Sequence, residues 1–289
     1  MIKKLLWGIL FFGVLPQAEA NEFLKIRVLT KNVRPGDTVI VGVVTDQKIK
    51  EAALIDGNRR LPCFEHKNKW SCVIGIPSDF KGNLLTTTLD VKAGDYWHMM
   101  QAMVKVGKRT YPRISWPTPK SLPPEIEKRF LAEKEIFREK IEKPSREFIP
   151  VAAFIPPLKN PFKITSSYGE QRIRPEPNAA RIHNGVDMRA KADTPVLSPN
   201  DGVVEIADDF YFEGGFVLVN HGGGIKSDFM HLSRFVVKAG DRVSRGQVIG
   251  YSGKSGEGIK DPHLHFEIWI HNTPVDPLKF IKDFNKVIF

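Results

Sequence analysis

The sequence predicts a mainly β protein: an N-terminal small β-sandwich of immunoglobulin-like kind, a linker helix, and a C-terminal antiparallel, barrel-like β-sheet unit. Three observations predict it. Short apolar runs recur at 23–29, 39–44, 72–76, 84–91 and 99–106, separated by turn chemistry at Arg34-Pro-Gly-Asp37, Asp56-Gly-Asn58 and Lys92-Ala-Gly-Asp95. Past residue 159, strand-like segments at 194–197, 202–207, 216–220, 225–230, 247–251 and 263–270 are punctuated by glycines, with almost no helical periodicity. Between the two β units, a proline-marked connection leads into one charged helical segment.

Each element follows from local chemistry. Met1-Ile-Lys3-Lys4, an apolar run from Leu5 to Leu15 and Ala18-Glu19-Ala20 read as a cleavable export signal over residues 1–20, cut after Ala20. The apolar run is short for a membrane span, and no later stretch is apolar enough to cross a bilayer. A periplasmic or secreted chain with no stable membrane insertion is therefore expected.

The sandwich occupies 21–120. Its Cys63 and Cys72 flank a polar turn, so a disulfide there would pin a hairpin and contribute about 2.5–3 kcal/mol by chain entropy. Two soft ligands without a second pair make a poor zinc site. The linker, 121–158, carries a helix over 125–142 with Ile126, Phe130, Phe137 and Ile141 at helical spacing, so one side must be buried. Pro144 and Pro150 end it. A strut between two domains is the plain role for this helix; a sharper expectation is that it, or the β unit behind it, covers the functional groove and regulates access.

Charge is uneven. The chain carries a formal +10, and residues 21–150 hold 24 Lys and Arg against 16 Asp and Glu, whereas 151–289 hold 17 against 16. A basic front half suits an anionic polymer or surface. Nucleic acid is excluded as a partner by the export signal and by the lack of an aromatic-basic binding motif.

The chemistry concentrates in 159–289. His183-Asn-Gly-Val-Asp187 spaces an imidazole and a carboxylate four apart, which puts them on one side of either a helix or a strand. Pro262-His263-Leu264-His265-Phe266 reads as a strand whose two imidazoles face one way, with Leu264, Phe266 and Ile268 facing the other. Catalytic zinc keeps three N/O ligands and an open position. His183, Asp187 and one histidine of the His-x-His pair supply that count for one ion, leaving the other histidine and His231 for acid-base work on a bound water. His66, His98, His221 and His271 read as hydrogen-bonded structural histidines, His221 least securely.

With these residues in order, the chain resembles the lysostaphin-type, or LytM-domain, zinc endopeptidases of peptidoglycan. The resemblance covers about 160–278. It runs through Ser167-Tyr-Gly169, Arg172, His183 to Asp187, Thr194-Pro-Val196, Asp201-Gly-Val-Val204, His231-Leu-Ser233, Val237-Lys-Ala-Gly240, Gly246-Gln-Val-Ile-Gly250, Ser252-Gly253, His263-Leu-His265-Phe266 and Val275-Asp-Pro277. It implies a LytM-type metallopeptidase domain with a zinc groove over 159–289. It implies zinc on His183, Asp187 and His265, with His231 and His263 flanking the bound water and the scissile carbonyl. Peptidoglycan is the implied substrate, and an exported chain makes the D-alanyl–diaminopimelate cross-link the first choice.

Asp261 stands where the family usually has glycine, which bears on backbone conformation or room for substrate. Two other functions compete. The run from Val237 to Gly250 also resembles the hammerhead turn of biotinyl and lipoyl carriers, and sugar-phosphotransfer domains use a related barrel with paired histidines. No carrier lysine in its hairpin setting is evident, and an exported protein lacks the phosphoryl donor. A non-catalytic LytM-type module that activates another wall hydrolase is the second alternative; such members have lost metal-binding or catalytic residues, and here all five positions are filled. A regulatory cell-wall or divisome partner is compatible with either reading.

Overall fold

A computed structural model describes residues 24–115, 121–143, 152–159, 161–173 and 180–289. The export signal, Pro117 to Pro119, Pro144 and Pro150 lie outside the described residues. No helix among the described residues is long and apolar enough to cross a membrane.

The chain opens with β1 (Leu24–Val28), β2 (Thr38–Thr45), β3 (Ile49–Asp56), β4 (Arg59–Pro62), β5 (Phe64–His66), β6 (Lys69–Gly75), β7 (Leu84–Ala93) and β8 (Tyr96–Lys105). They form two antiparallel four-stranded sheets, ordered β1-β2-β6-β5 and β4-β3-β7-β8. Alternation decides the packing: Val39 and Val41 of one sheet and Leu54, Leu89 and Val91 of the other fill one buried cluster, as a sandwich requires. Cys63 and Cys72 are disulfide-bonded between the start of the β5 segment and β6.

The second half comprises β9 (Arg113–Ser115), α1 (Pro124–Glu142), β10 (Lys163–Ser166), β11 (Gln171–Ile173), β12 (Ala180–Ile182), β13 (Val186–Arg189) and β14 (Pro195–Leu197). It continues with β15 (Gly202–Phe210), β16 (Gly214–Asn220), β17 (Ile225–Phe235), β18 (Arg242–Val243), β19 (Val248–Ser252), β20 (His263–Ile270), β21 (Thr273–Val275) and α2 (Pro277–Ile288). The main sheet runs β10-β13-β20-β17-β16-β15-β18, with β14, β19 and β21 paired off this path. It is not a barrel. Closure requires the first and last strands to pair, and the four-residue β10 and two-residue β18 sit at opposite ends.

The expectation of almost no helix in the last third also fails, at α2. Asp276 caps this helix by accepting the Lys279 N–H at 3.1 Å, Pro277 occupies its first turn, and Phe280, Ile281 and Phe284 are buried at helical spacing. These aromatics meet Phe154 and, from the N-terminal sheets, Phe64; Ile40 and Val73 belong to the same buried cluster. β9 extends this union by pairing in parallel with β11.

α1 lays its apolar stripe on the main sheet. Phe137 packs edge-on against Phe216 and Trp269, Phe130 against Phe212, and Ile141 joins Ile206, Phe210 and Leu218. Glu133, buried in that stripe, is spent on the sheet: it accepts the Tyr211 N–H at 3.0 Å and pairs with Arg129. The buried ammonium of Lys226 donates to the Lys140 and Lys143 carbonyls at the helix C-terminus and pairs with Glu205 at 3.0 Å.

His221 is a structural histidine. Fully buried, it bridges the Asp201 carbonyl at 2.8 Å and the Ser227 hydroxyl at 2.7 Å, and burial pushes its pKa down to about 4. The folded protein keeps it neutral where the unfolded chain takes up a proton. Stability is thus full above about pH 6.5 and falls as pH drops toward 4, by about 3 kcal/mol from this group. The melting temperature should fall across that window by several degrees more than in a His221→Gln variant; equal falls would contradict the assignment.

Candidate metal centre

Strand register assembles the centre. Asp187 on β13 stands directly opposite His265 on β20, and Met230 on β17 flanks His265 from the other side. His183 lies just after β12, so no single helix or strand spans His183 and Asp187, contrary to the sequence argument; they meet across the turn at Gly185. His183 Nε2 is 3.0 Å from Asp187 Oδ1 and 3.0 Å from His265 Nδ1, and His265 Nδ1 is 2.7 Å from Asp187 Oδ1. Ligand atoms about 2.0–2.1 Å from a tetrahedral ion stand roughly 3.3 Å apart. The triangle needs to open by about 0.3 Å on two edges and about 0.6 Å on the third, so the residues fit one ion.

Each imidazole is oriented by an acceptor. The Ser167 carbonyl accepts from His183 Nδ1 at 2.9 Å, leaving Nε2 toward Asp187. That carbonyl is fixed by the turn around it: Tyr168 is buried and donates its hydroxyl to the Pro274 carbonyl at 3.0 Å. Gly169 has φ +85°, and a Cβ on it would fall 2.0 Å from the Tyr111 ring. The Asp261 carbonyl accepts from His263 Nδ1 at 2.9 Å, turning Nε2 to within 4.0 Å of Asp187. Since the backbone does this and Asp261 has no left-handed φ, the departure from glycine leaves the histidine's support intact. The Ser255 carbonyl accepts from His231 Nδ1 at 3.0 Å.

His231 itself breaks the alternation of β17. It has φ +64°, a strained conformation for a residue with a side chain, and lies where the pairing with β16 becomes irregular and that with β20 has ended at Met230. The result brings its ring 4.8 Å from that of His263 and 6.1 Å from that of His265. All five side chains singled out from the sequence thus gather here. Arg172 adds a contact to the second oxygen of Asp187 at 3.3 Å.

The electrostatics suit an ion. Burial would raise the Asp187 pKa, but hydrogen bonds from His183 and His265 hold it well below the usual carboxylate range. Burial would lower that of His265, but Asp187 and Glu267 carry it up to about 10. Burial, helped by the charge of His265, pushes His231 down to about 3, which leaves it neutral with Nε2 unprotonated. Sequence reasoning missed Glu267, 2.8 Å from His265 Nε2, although its position two residues along the strand was the available signal. It also missed Asp228, fully buried opposite Glu267 and holding the Trp269 indole at 2.8 Å, whose pKa burial and the neighbouring carboxylate raise.

Two imidazoles and a carboxylate that can share an ion, beside two further imidazoles on an open sheet, place this domain in the metallo-endopeptidase class. Residues 181–277 match the model of Peptidase family M23. ShyA, a peptidoglycan DD-endopeptidase of Vibrio cholerae, is 36% identical over 123 residues, 43% of this chain and 28% of ShyA. The glycyl-glycine endopeptidase ALE-1 of Staphylococcus capitis is 42% identical over 106 residues, 35% of this chain and 29% of ALE-1. A Pseudomonas aeruginosa crystal structure provisionally assigned to peptidase M23 superposes with a TM-score of 0.66 at 26% identity, covering 88% of this chain and 96% of that one. The chain thus spans less than a third of the length of either curated relative.

Proposed function

We propose that this protein is an exported zinc endopeptidase that hydrolyses peptide cross-links of peptidoglycan, of the D-alanyl–diaminopimelate type. The observation that carries the reading is the convergence of His183 Nε2, Asp187 Oδ1 and His265 Nδ1 with the imidazoles of His231 and His263 beside them. Likeness to ShyA supports the wall substrate, and the signal-like residues 1–20 support export.

Zinc held by His183, Asp187 and His265 would lower the pKa of a water toward neutrality and polarise the scissile carbonyl. The chain's own residues do the rest. A carbonyl can only accept, so the Ser255 and Asp261 carbonyls fix protons on Nδ1 of His231 and His263 and leave each Nε2 bare. One of these nitrogens takes the proton of the attacking water; the imidazolium so formed steadies the developing oxyanion and then passes that proton to the leaving amine.

Incubation with defined muropeptides, read by mass spectrometry, tests the reading. Zinc-dependent scission between D-alanine and diaminopimelate is expected. Scission of glycine bridges alone would overturn the linkage, and no scission of either would overturn the function.

α1 bears on access. His265, Glu267 and Trp269 share one face of β20 by alternation, and Trp269 is the residue against which Phe137 packs. The helix therefore lies on the face that carries the metal ligands, along the floor a peptide would occupy. Weakening its docking by Phe130→Ala with Phe137→Ala should raise hydrolysis of intact wall several-fold with little change on a short soluble peptide; equal wall rates would remove this gating role.

A further inference from the structure

The two histidines of the ion-binding triangle offer different nitrogens. His183 presents Nε2 because the Ser167 carbonyl engages Nδ1, whereas His265 presents Nδ1 and turns Nε2 away, to Glu267 Oε1 at 2.8 Å. A neutral imidazole has one bare nitrogen, and whichever one bears the proton cannot bind an ion. The partner on the far nitrogen therefore selects the donor. His265 is 7% exposed and Glu267 5%, so water does not compete for this hydrogen bond.

Gly185 makes room for the pair. A Cβ there would lie 2.8 Å from Glu267 Cγ, 2.9 Å from His265 Nε2 and 2.4 Å from the Phe266 carbonyl oxygen. Its φ is outside the left-handed region, so space rather than conformation demands glycine. The glycine within His183-Asn-Gly-Val-Asp187 thus serves a hydrogen bond made two strand positions beyond His263-Leu-His265.

We propose that Glu267 is a positioning residue of the metal centre: it fixes His265 in the tautomer and orientation that present Nδ1 to the ion, and Gly185 is without a side chain so that it can. This rests on the metal-site reading above and deepens it. Glu267 touches neither substrate nor ion; it acts through His265.

The test compares wild type with Glu267→Leu, Glu267→Gln, Gly185→Ala and Asp187→Ala, each checked for fold by circular dichroism. Zinc affinity is read by chelator competition, and the His265 tautomer by nitrogen-15 NMR of the zinc-loaded wild type. Glu267→Leu should weaken zinc about 10–100-fold. Glu267→Gln, whose amide oxygen still accepts from Nε2–H, should weaken it less, and Gly185→Ala should resemble the leucine variant. The spectrum should show Nε2 protonated and Nδ1 bare. Wild-type affinity in Glu267→Leu, or a spectrum with Nδ1 protonated, overturns the proposal. Should the leucine variant fail to fold, affinity in the glutamine variant equal to or below that expected for leucine, or the wild-type spectrum, decides it. Unchanged zinc binding in Asp187→Ala would instead overturn the metal-site reading itself.

Discussion

Asp187→Ala should bring peptide hydrolysis to background and remove stoichiometric zinc, the largest effect expected of any single change. Asp187 Oδ1 stands within 3.0 Å of both His183 Nε2 and His265 Nδ1, so its loss removes a ligand and the anion that holds the two imidazoles together. His265→Ala should behave alike, since it opens the facing corner of the same triangle. Elemental analysis after gel filtration, together with turnover of a cross-linked muropeptide, checks both. A variant that keeps a full equivalent of zinc and near-normal, chelator-resistant turnover would show that the ion sits elsewhere.

His231→Ala and His263→Ala should separate chemistry from metal binding. Neither imidazole has an atom in the triangle, so zinc content should stay near one equivalent. Turnover should drop about a hundredfold or more, the scale of losing one preorganised donor or base, with KM changing little. The two losses should not add, because both nitrogens serve one proton and one developing charge. His231 carries an additional requirement: its left-handed backbone disfavours alanine, so His231→Asn, which tolerates that conformation, isolates the chemical loss from the conformational one. Should the asparagine variant turn over normally, the imidazole would have no part in the reaction.

Much of this centre is legible in the chain because Asp187, His263 and His265 lie in strands, where alternation is a strict rule. Placing His263 and His265 on one face and Leu264, Phe266 and Ile268 on the other needs only the period of a strand. The supports are harder to read, because the Ser167, Asp261 and Ser255 carbonyls belong to the backbone and have no letter of their own. The mainly β character and the position of α1 follow from patterning. The open sheet does not, since closure depends on pairing between its most distant strands. α2 was legible and passed over: Asp276-Pro277 followed by Phe280, Ile281 and Phe284 is a capped amphipathic pattern, masked by the glycine-rich strands before it.

Phe64 of the N-terminal sheets has its ring 5.7 Å from that of Phe284 and shares a dry interior with Phe154 and Phe280. Those rings seat the N-terminal sandwich against α2. Cutting the C-terminal half free would leave a patch of bare aromatic surface, so a trimmed chain would need polar replacements at Phe154 and along α2 before it stayed in solution.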